Sequence, residues 1–246
     1  MKQLSPTKYI CVIIAAGSII GGPISLGAAG DNSSSGAVIV AQGTPRGAVA
    51  CARCHGFEGA SDGSGAFPAL AGQTEYYLSH QLQRYASGQR RNAIMEFIAK
   101  ALTSDEIESV ARYYAHANPP SYPRLSAPPD LIARGKQLAL MGDASARVQD
   151  CVSCHGPNGE GEPPTIPYLA GQYKHYLEIQ LLMFNKGYRT SEQMARVAHQ
   201  MPEQHIEAIA VYFDQLPRPA NPTNEEEIWN QSTTNSQVRR KRLQKK

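Results

Sequence analysis

Apolar residues along this chain recur at three- and four-residue intervals, the spacing of one helix face. No stretch alternates apolar and polar positions as a half-buried strand would. Leu78, Leu82 and Tyr85 form one such face, with Gly88 as its stop. Ile107, Val110, Ala111 and Tyr114 form another. It opens with Thr103-Ser-Asp-Glu106, a capping-box pattern in which the threonine and the glutamate each satisfy a backbone N–H of the first turn. Ile206, Ile209, Ala210 and Phe213 repeat that face between Pro202 and Pro217. A further helix, capped by Asp130, leads towards Cys151. Its counterpart before Cys51 is shorter, limited by Gly43-Thr-Pro-Arg-Gly47. The pattern predicts an all-α fold.

The same pattern runs twice. Leu70-Ala71-Gly72-Gln73 returns as Leu169-Ala170-Gly171-Gln172, 99 positions later. At that offset Pro68 matches Pro167, Tyr77-Leu78 matches Tyr176-Leu177, and Gln81-Leu82 matches Gln180-Leu181. Tyr85 matches Phe184, Gly88-x-Arg90 matches Gly187-x-Arg189, and Met95 matches Met194. An internal repeat of this kind means two homologous modules. Between them, Asn118 to Pro129 carries five prolines in twelve residues, which excludes a helix and reads as a semi-rigid linker. The expected layout is a signal peptide over 1–29, a flexible Gly- and Ser-rich lead-in over 30–44, and a first domain over 45–117. A linker over 118–129, a second domain over 130–218 and a disordered basic tail over 219–246 complete it.

Composition sharpens this outline at the two ends. Lys2 and Lys8, the apolar run from Tyr9 to Ile20 and the small residues Leu26-Gly27-Ala28-Ala29-Gly30 read as an export signal with its cleavage region. An uncleaved membrane anchor is the alternative for that run. The formal charge is +3, of which the signal lysines carry +2 and the tail +3, so the body between them is −2. That balance gives the folded part no electrostatic reason to bind nucleic acid. The tail holds Glu225-Glu226-Glu227, Trp229, Arg239-Arg240-Lys241-Arg242 and Lys245-Lys246. It reads either as a solvated tail or as a tether to anionic lipid or an acidic redox partner.

Five cysteines remain to be placed. Cys11 lies within the apolar run, as an ordinary apolar residue of the signal. The other four form Cys51-Ala-Arg-Cys54-His55 and Cys151-Val-Ser-Cys154-His155. This Cys-x-x-Cys-His spacing is the attachment signature of a c-type haem. Two thiols three residues apart add to the two vinyl groups on one edge of a haem, and the next histidine is held under the ring to bind the iron. A zinc ribbon is the rival reading, but the 97 positions between Cys54 and Cys151 are far more than a ribbon spans, and it leaves His55 and His155 unexplained. The expected cofactors are two covalently bound haem c groups. Each module is small, so the haem supplies much of its apolar bulk and the module folds poorly without it.

The second axial position needs a ligand in each module. Met95 and Met194 hold equivalent repeat positions, 40 and 39 residues after their histidines, which core filler does not require. Met201 aligns with Leu102 and Met183 with Arg84, residues that cannot bind iron, and Met141 has no counterpart. His80, His116, His175, His199 and His205 have no histidine at their repeat equivalents and read as surface or half-buried residues. A His/Met pair closes both axial positions and raises the reduction potential relative to two histidines. Pro68 and Pro167 are placed to offer carbonyls to the proximal imidazoles, and Arg90 and Arg189 to pair with propionates or with solvent.

These residues in this order resemble the exported two-haem class I cytochromes c of the c-four type. The resemblance rests on Cys-x-x-Cys-His-Gly, Phe67-Pro68-x-Leu70-Ala71-Gly72-Gln73, Tyr77-Leu78-x-x-Gln81-Leu82, Gly88-x-Arg90-x-Asn92-x-x-Met95 and the Tyr113-Tyr114 helix, with the second-module copies, over about residues 45–217. It implies two tandem class I cytochrome c domains, each wrapped around one covalent haem. It also implies electron transfer in the periplasm between redox protein partners, often towards a terminal oxidase. The chain departs from the pattern at Ser191, where module one has Asn92, and in the shortened loop with Pro157, Pro163 and Pro164. Two other functions remain open: a catalytic two-haem cytochrome that oxidises thiosulfate or reduces peroxide, and a haem subunit of a larger dehydrogenase or oxidase complex.

Overall fold

The computed structural model describes residues 32–118, 124 and 126–219. The expected export signal, half of the proline-rich linker and the tail beyond residue 219 lie outside the described residues. Within them are ten helices and no strand, only isolated bridges. The first module comprises α1 (Asn32–Gln42), α2 (Ala52–His55), α3 (Glu75–Ala86), α4 (Ala93–Lys100) and α5 (Ser104–Ala115). The second repeats them as α6 (Pro129–Met141), α7 (Val152–His155), α8 (Lys174–Asn185), α9 (Glu192–Ala198) and α10 (Glu203–Gln215).

The periodicities resolve as expected in the long helices. Helix α5 buries Ile107, Val110, Ala111 and Tyr114, and α10 buries Ile206, Ile209, Ala210 and Phe213. The capping box is formed: Glu106 N–H donates to Thr103 Oγ1 at 3.2 Å and Thr103 N–H to the Glu106 carboxylate at 2.6 Å.

Two expectations are corrected at the module starts. The stretch read as a flexible lead-in contains helix α1, which buries Ile39 and Val40 against α5. Its Gly36 faces the backbone of Ser109 so closely that an added Cβ would lie 2.3 Å from the Ser109 carbonyl oxygen. The glycine is there for helix contact, not for flexibility. Gly135 of α6 meets Ala208 of α10 in the same way, at 1.9 Å. Asp130 does not cap α6: Pro128 holds that position without a side-chain bond, Pro129 opens the helix, and Asp130 lies in the first turn. A proline there removes an N–H that would have had no partner, so no cap is needed for it.

Each module closes its own core. Leu78, Leu102, Ile107, Val110 and Tyr114 gather with α1 in the first, and Leu138, Leu177, Met201, Ile209 and Phe213 in the second. The modules then meet through equivalent residues. Gln73 Nε2 donates to the Tyr168 carbonyl at 2.9 Å, while Gln172 Nε2 donates to the Ala69 carbonyl and its Oε1 accepts from Ala69 N–H, both at 2.9 Å. Tyr168 donates its hydroxyl to the Ala71 carbonyl at 2.7 Å, and Tyr173 donates to that of Ala60. Arg124, the described residue in the middle of the linker, is fixed on the second module by the Asp214 carboxylate and the Gly171 carbonyl. No helix among the described residues is long and apolar enough to cross a membrane.

Candidate functional site

Each Cys-x-x-Cys-His motif forms a single helical turn, with Cys51 or Cys151 at its start and the histidine at its end. A glycine follows in the left-handed region, Gly56 at φ 72° and Gly156 at φ 81°. There the chain turns away at once, a conformation that costs glycine little. The histidines are 8% and 7% exposed. His55 Nδ1 lies 3.1 Å from the Pro68 carbonyl oxygen, and His155 Nδ1 lies 2.8 Å from that of Pro167. The proline carbonyls expected from the sequence are thus in place.

The loop that carries each carbonyl is itself pinned. Leu70 and Ala71 N–H both donate to the Gly59 carbonyl, and Gly72 N–H donates to Tyr114 at the end of α5. Leu169, Ala170 and Gly171 do the same on Gly159 and Phe213. The Leu-Ala-Gly repeat is therefore what holds the imidazole orienter against the last helix.

Burial holds both imidazoles below the usual histidine range, outweighing the opposing pull of the proline carbonyls. A neutral ring that donates from Nδ1 keeps its lone pair on Nε2, the form a metal needs. Burial likewise pushes the Cys51 thiol up to about 11 and the Cys151 thiol to about 12. These are apolar surroundings, unlike those of thiolates held for zinc. No group of three or more His, Cys, Asp or Glu side chains gathers into a metal site among the described residues.

A cavity of about 440 Å³ opens beside Cys151, Cys154 and His155. Its walls are mostly apolar, with Leu177, Leu181, Phe184 and Phe213, and both Met194 and Met201 line it. It runs on to the module boundary, where Tyr77, His80, Gln81, Arg84 and Arg189 give it a polar end. Paired thiols, a neutral buried imidazole, a thioether, apolar walls and a cationic end are a lining that fits a covalently held haem. Met201 is 3% exposed and packed in the second core, so Met194 shares its cavity with a second thioether.

Met95 and Met194 sit on the short helices α4 and α9. The Asn92 carboxamide caps α4 by accepting from Ile94 N–H at 3.1 Å and Met95 N–H at 2.9 Å. Ser191 makes one longer bond, 3.4 Å, to Met194 N–H. The substitution noted in the sequence therefore leaves the second methionine helix less firmly capped. Two further methionines lie outside the cavity: Met183 accepts a contact from Gln180, and Met141 is 76% exposed. Four of the five remaining histidines are exposed or half-buried as expected. His205 is not: it is buried beside Arg134 and Asp143.

Two features were missed in the sequence. Tyr114 reaches from α5 to donate to the Gly56 carbonyl at 3.0 Å, directly behind the first motif; the second module has Phe213 there and no such bond. The arginines also meet across the boundary. Arg90 donates to Gln81 of its own module and to Tyr176 and Gln180 of the other, while Arg189 donates to Gln180, Tyr77 and Gln81. The signal available was their equivalence in the repeat, which does not say that equivalent residues touch.

The family model for cytochrome c matches residues 46–117 and 132–230. The chain belongs to the cytochrome c family. It is 30% identical over 227 residues to the thiosulfate dehydrogenase electron acceptor of Thiomonas intermedia, covering 91% of this chain and 97% of that protein. Among solved structures, a thiosulfate dehydrogenase from Marichromatium purpuratum superposes with a TM-score of 0.69 at 37% identity over 77% of this cytochrome, which spans only 41% of that chain. The reduced cytochrome c4 of Pseudomonas stutzeri superposes with a TM-score of 0.65 at 29% identity, over 77% of this chain and all of that one. The protein is a two-domain class I cytochrome of the c4 type with two covalent haem c groups, on the Cys51/Cys54 and Cys151/Cys154 pairs. It is a two-haem electron carrier.

Proposed function

We propose that this cytochrome takes electrons one at a time from a thiosulfate-oxidising dehydrogenase in the periplasm and passes them towards a terminal oxidase. His55 and Met95 hold the first iron, and His155 and Met194 hold the second. The observation that supports the histidine ligands is the pair of buried imidazoles, each with Nδ1 committed to a proline carbonyl, and the methionines are supported by their equivalent positions in the repeat. The Thiomonas relative, named as an electron acceptor of thiosulfate dehydrogenase and matched along nearly its whole length, supports this choice of donor.

The haem supplies a reversible one-electron centre, and the chain's residues set its surroundings. Pro68 and Pro167 fix the imidazole plane and make each histidine a stronger donor. Met95 and Met194 would each supply the second ligand to an iron, which would leave oxygen, peroxide and sulfur anions no open position. Apolar walls exclude water and limit the reorganisation that accompanies a change of charge. Arg90 and Arg189 place positive charge at the boundary between the modules.

Spectroscopy of the purified oxidised protein tests the ligands. Two low-spin centres with methionine-to-iron charge transfer are expected, and Met95→Ala and Met194→Ala should each remove half of that absorbance. Its loss in Met201→Ala instead would reassign the second ligand. The donor is tested by mixing the oxidised cytochrome with a thiosulfate dehydrogenase and thiosulfate. Reduction no faster than without the enzyme would reject it.

A further inference from the structure

Helix α4 carries more than Met95. Arg91, Ile94, Phe97 and Lys100 follow at every third position and form one outward stripe. Ile94 and Phe97 are 62% and 63% exposed. The cations at the two ends of the stripe are exposed as well, the Arg91 side chain at 72% and that of Lys100 at 59%. Both reach back to Glu96, whose carboxylate is 15% exposed, so the surface that faces outwards is apolar in the middle and positive at both ends.

The second module shows that the fold does not require this. At the equivalent positions α9 and its flanks carry Thr190, Gln193, Arg196 and His199, all exposed. Both helices bear the equivalent methionine, and of the two only α4 itself carries exposed large apolar side chains. Two exposed apolar side chains on one helix face cost solubility without adding to the core. A docking role explains why they are kept on one module and absent from the other.

We infer that the α4 stripe is the docking face for a redox partner, and that the partner presents an apolar patch edged by carboxylates. The charge at the two ends selects the partner and guides its approach, and Ile94 and Phe97 supply the contact that expels water. A partner seated there lies one residue from Met95, so electrons pass by way of the first module. The inference rests on the proposed function only in placing Met95 on the first iron.

The test uses the full holoprotein and two probes. Flavodoxin hydroquinone is an acidic protein with an apolar flavin edge, and reduced lumiflavin is a neutral small molecule with no docking surface. Two variants are made. Ile94→Gln with Phe97→Arg copies the second module, and Arg91→Glu with Lys100→Glu reverses the charge. Each should slow reduction by flavodoxin about tenfold or more at low ionic strength, and added salt should shrink the effect of the charge variant. Reduction by lumiflavin, both reduction potentials and the methionine charge-transfer absorbance should match the parent. Unchanged flavodoxin rates would overturn the inference, and so would an equal slowing with lumiflavin. A parent that dimerises while the variants stay monomeric would make the stripe a self-association face and overturn it too. A cytochrome that thiosulfate dehydrogenase fails to reduce would sink the proposed donor and leave the flavodoxin comparison intact.

Discussion

Arg90 of the first module donates through Nη2 to the phenol oxygen of Tyr176 in the second, 2.9 Å away. Arg90 is 4% exposed, and its guanidinium is shared with Gln81 and Gln180 and lies 4.6 Å above the centre of the Tyr85 ring. Removing it leaves buried acceptors without partners, which costs about 1–3 kcal/mol for each group. Arg90→Met is therefore expected to destabilise the holoprotein by roughly 2–4 kcal/mol, and Tyr176→Phe by about 1 kcal/mol. Denaturant unfolding of both variants and the double variant measures the two losses and their coupling. A sum of single effects in the double variant would show that the pair is not energetically linked.

His205 makes stability depend on pH. Burial, aided by the Arg134 guanidinium and opposed by Asp143, holds its imidazole below the usual histidine value. The unfolded chain therefore takes up a proton near pH ~6.5 that the folded chain refuses. This group's stability is fully present above that pH and is lost progressively as pH falls towards the folded value. The stability difference between the parent and His205→Gln should shrink from pH 7.5 to 5.5 in favour of the variant. Guanidinium titrations at both values read it, and a constant difference would contradict the assignment.

The helix crossings leave no room for a methyl group. In Gly36→Ala the added carbon would lie 2.3 Å from the Ser109 carbonyl oxygen, and in Gly135→Ala 1.9 Å from that of Ala208. Overpacking of this kind costs about 1–3 kcal/mol. Both melting temperatures should drop, with Gly135→Ala the lower. Unchanged melting in Gly36→Ala would mean that α1 does not pack on α5 in solution.

The caps on the methionine helices differ, and so should their loss. Asn92→Ala removes two bonds and Ser191→Ala one long one. The first is expected to cost about 1 kcal/mol and the second a few tenths. Methionine charge-transfer absorbance followed against temperature should fade earlier in Asn92→Ala. Ser191→Asn should move the second centre the other way.

Much of the site was legible because its chemistry is local. Cysteine and histidine spacing fixes which atoms share a turn, and Pro68 and Pro167 follow closely enough to face the imidazoles. The Thr103 capping box and the α5 face were legible for the same reason. What failed depended on distant partners. Gly36 looked like flexibility because its reason, the Ser109 backbone, lies 73 positions away. His205 looked like a surface residue because Arg134 and Asp143 reach it from other segments. Aligning the two modules showed Arg90 and Arg189 as counterparts, but counterparts need not be neighbours. Here they are, since the modules join through the same patch on each.

That shared patch sets how the two halves of the chain can diverge. Arg90 bonds Tyr176 and Arg189 bonds Tyr77, so a substitution at either tyrosine takes one bond from a buried arginine in the other copy. Boundary residues are consequently tied in crosswise pairs and must change together. No such tie holds α4 to α9, and Ile94 can stand opposite Gln193 in the repeat without penalty. A duplicated protein joined in this way is free to specialise only on its outer faces, so one copy can acquire a partner while the other keeps none.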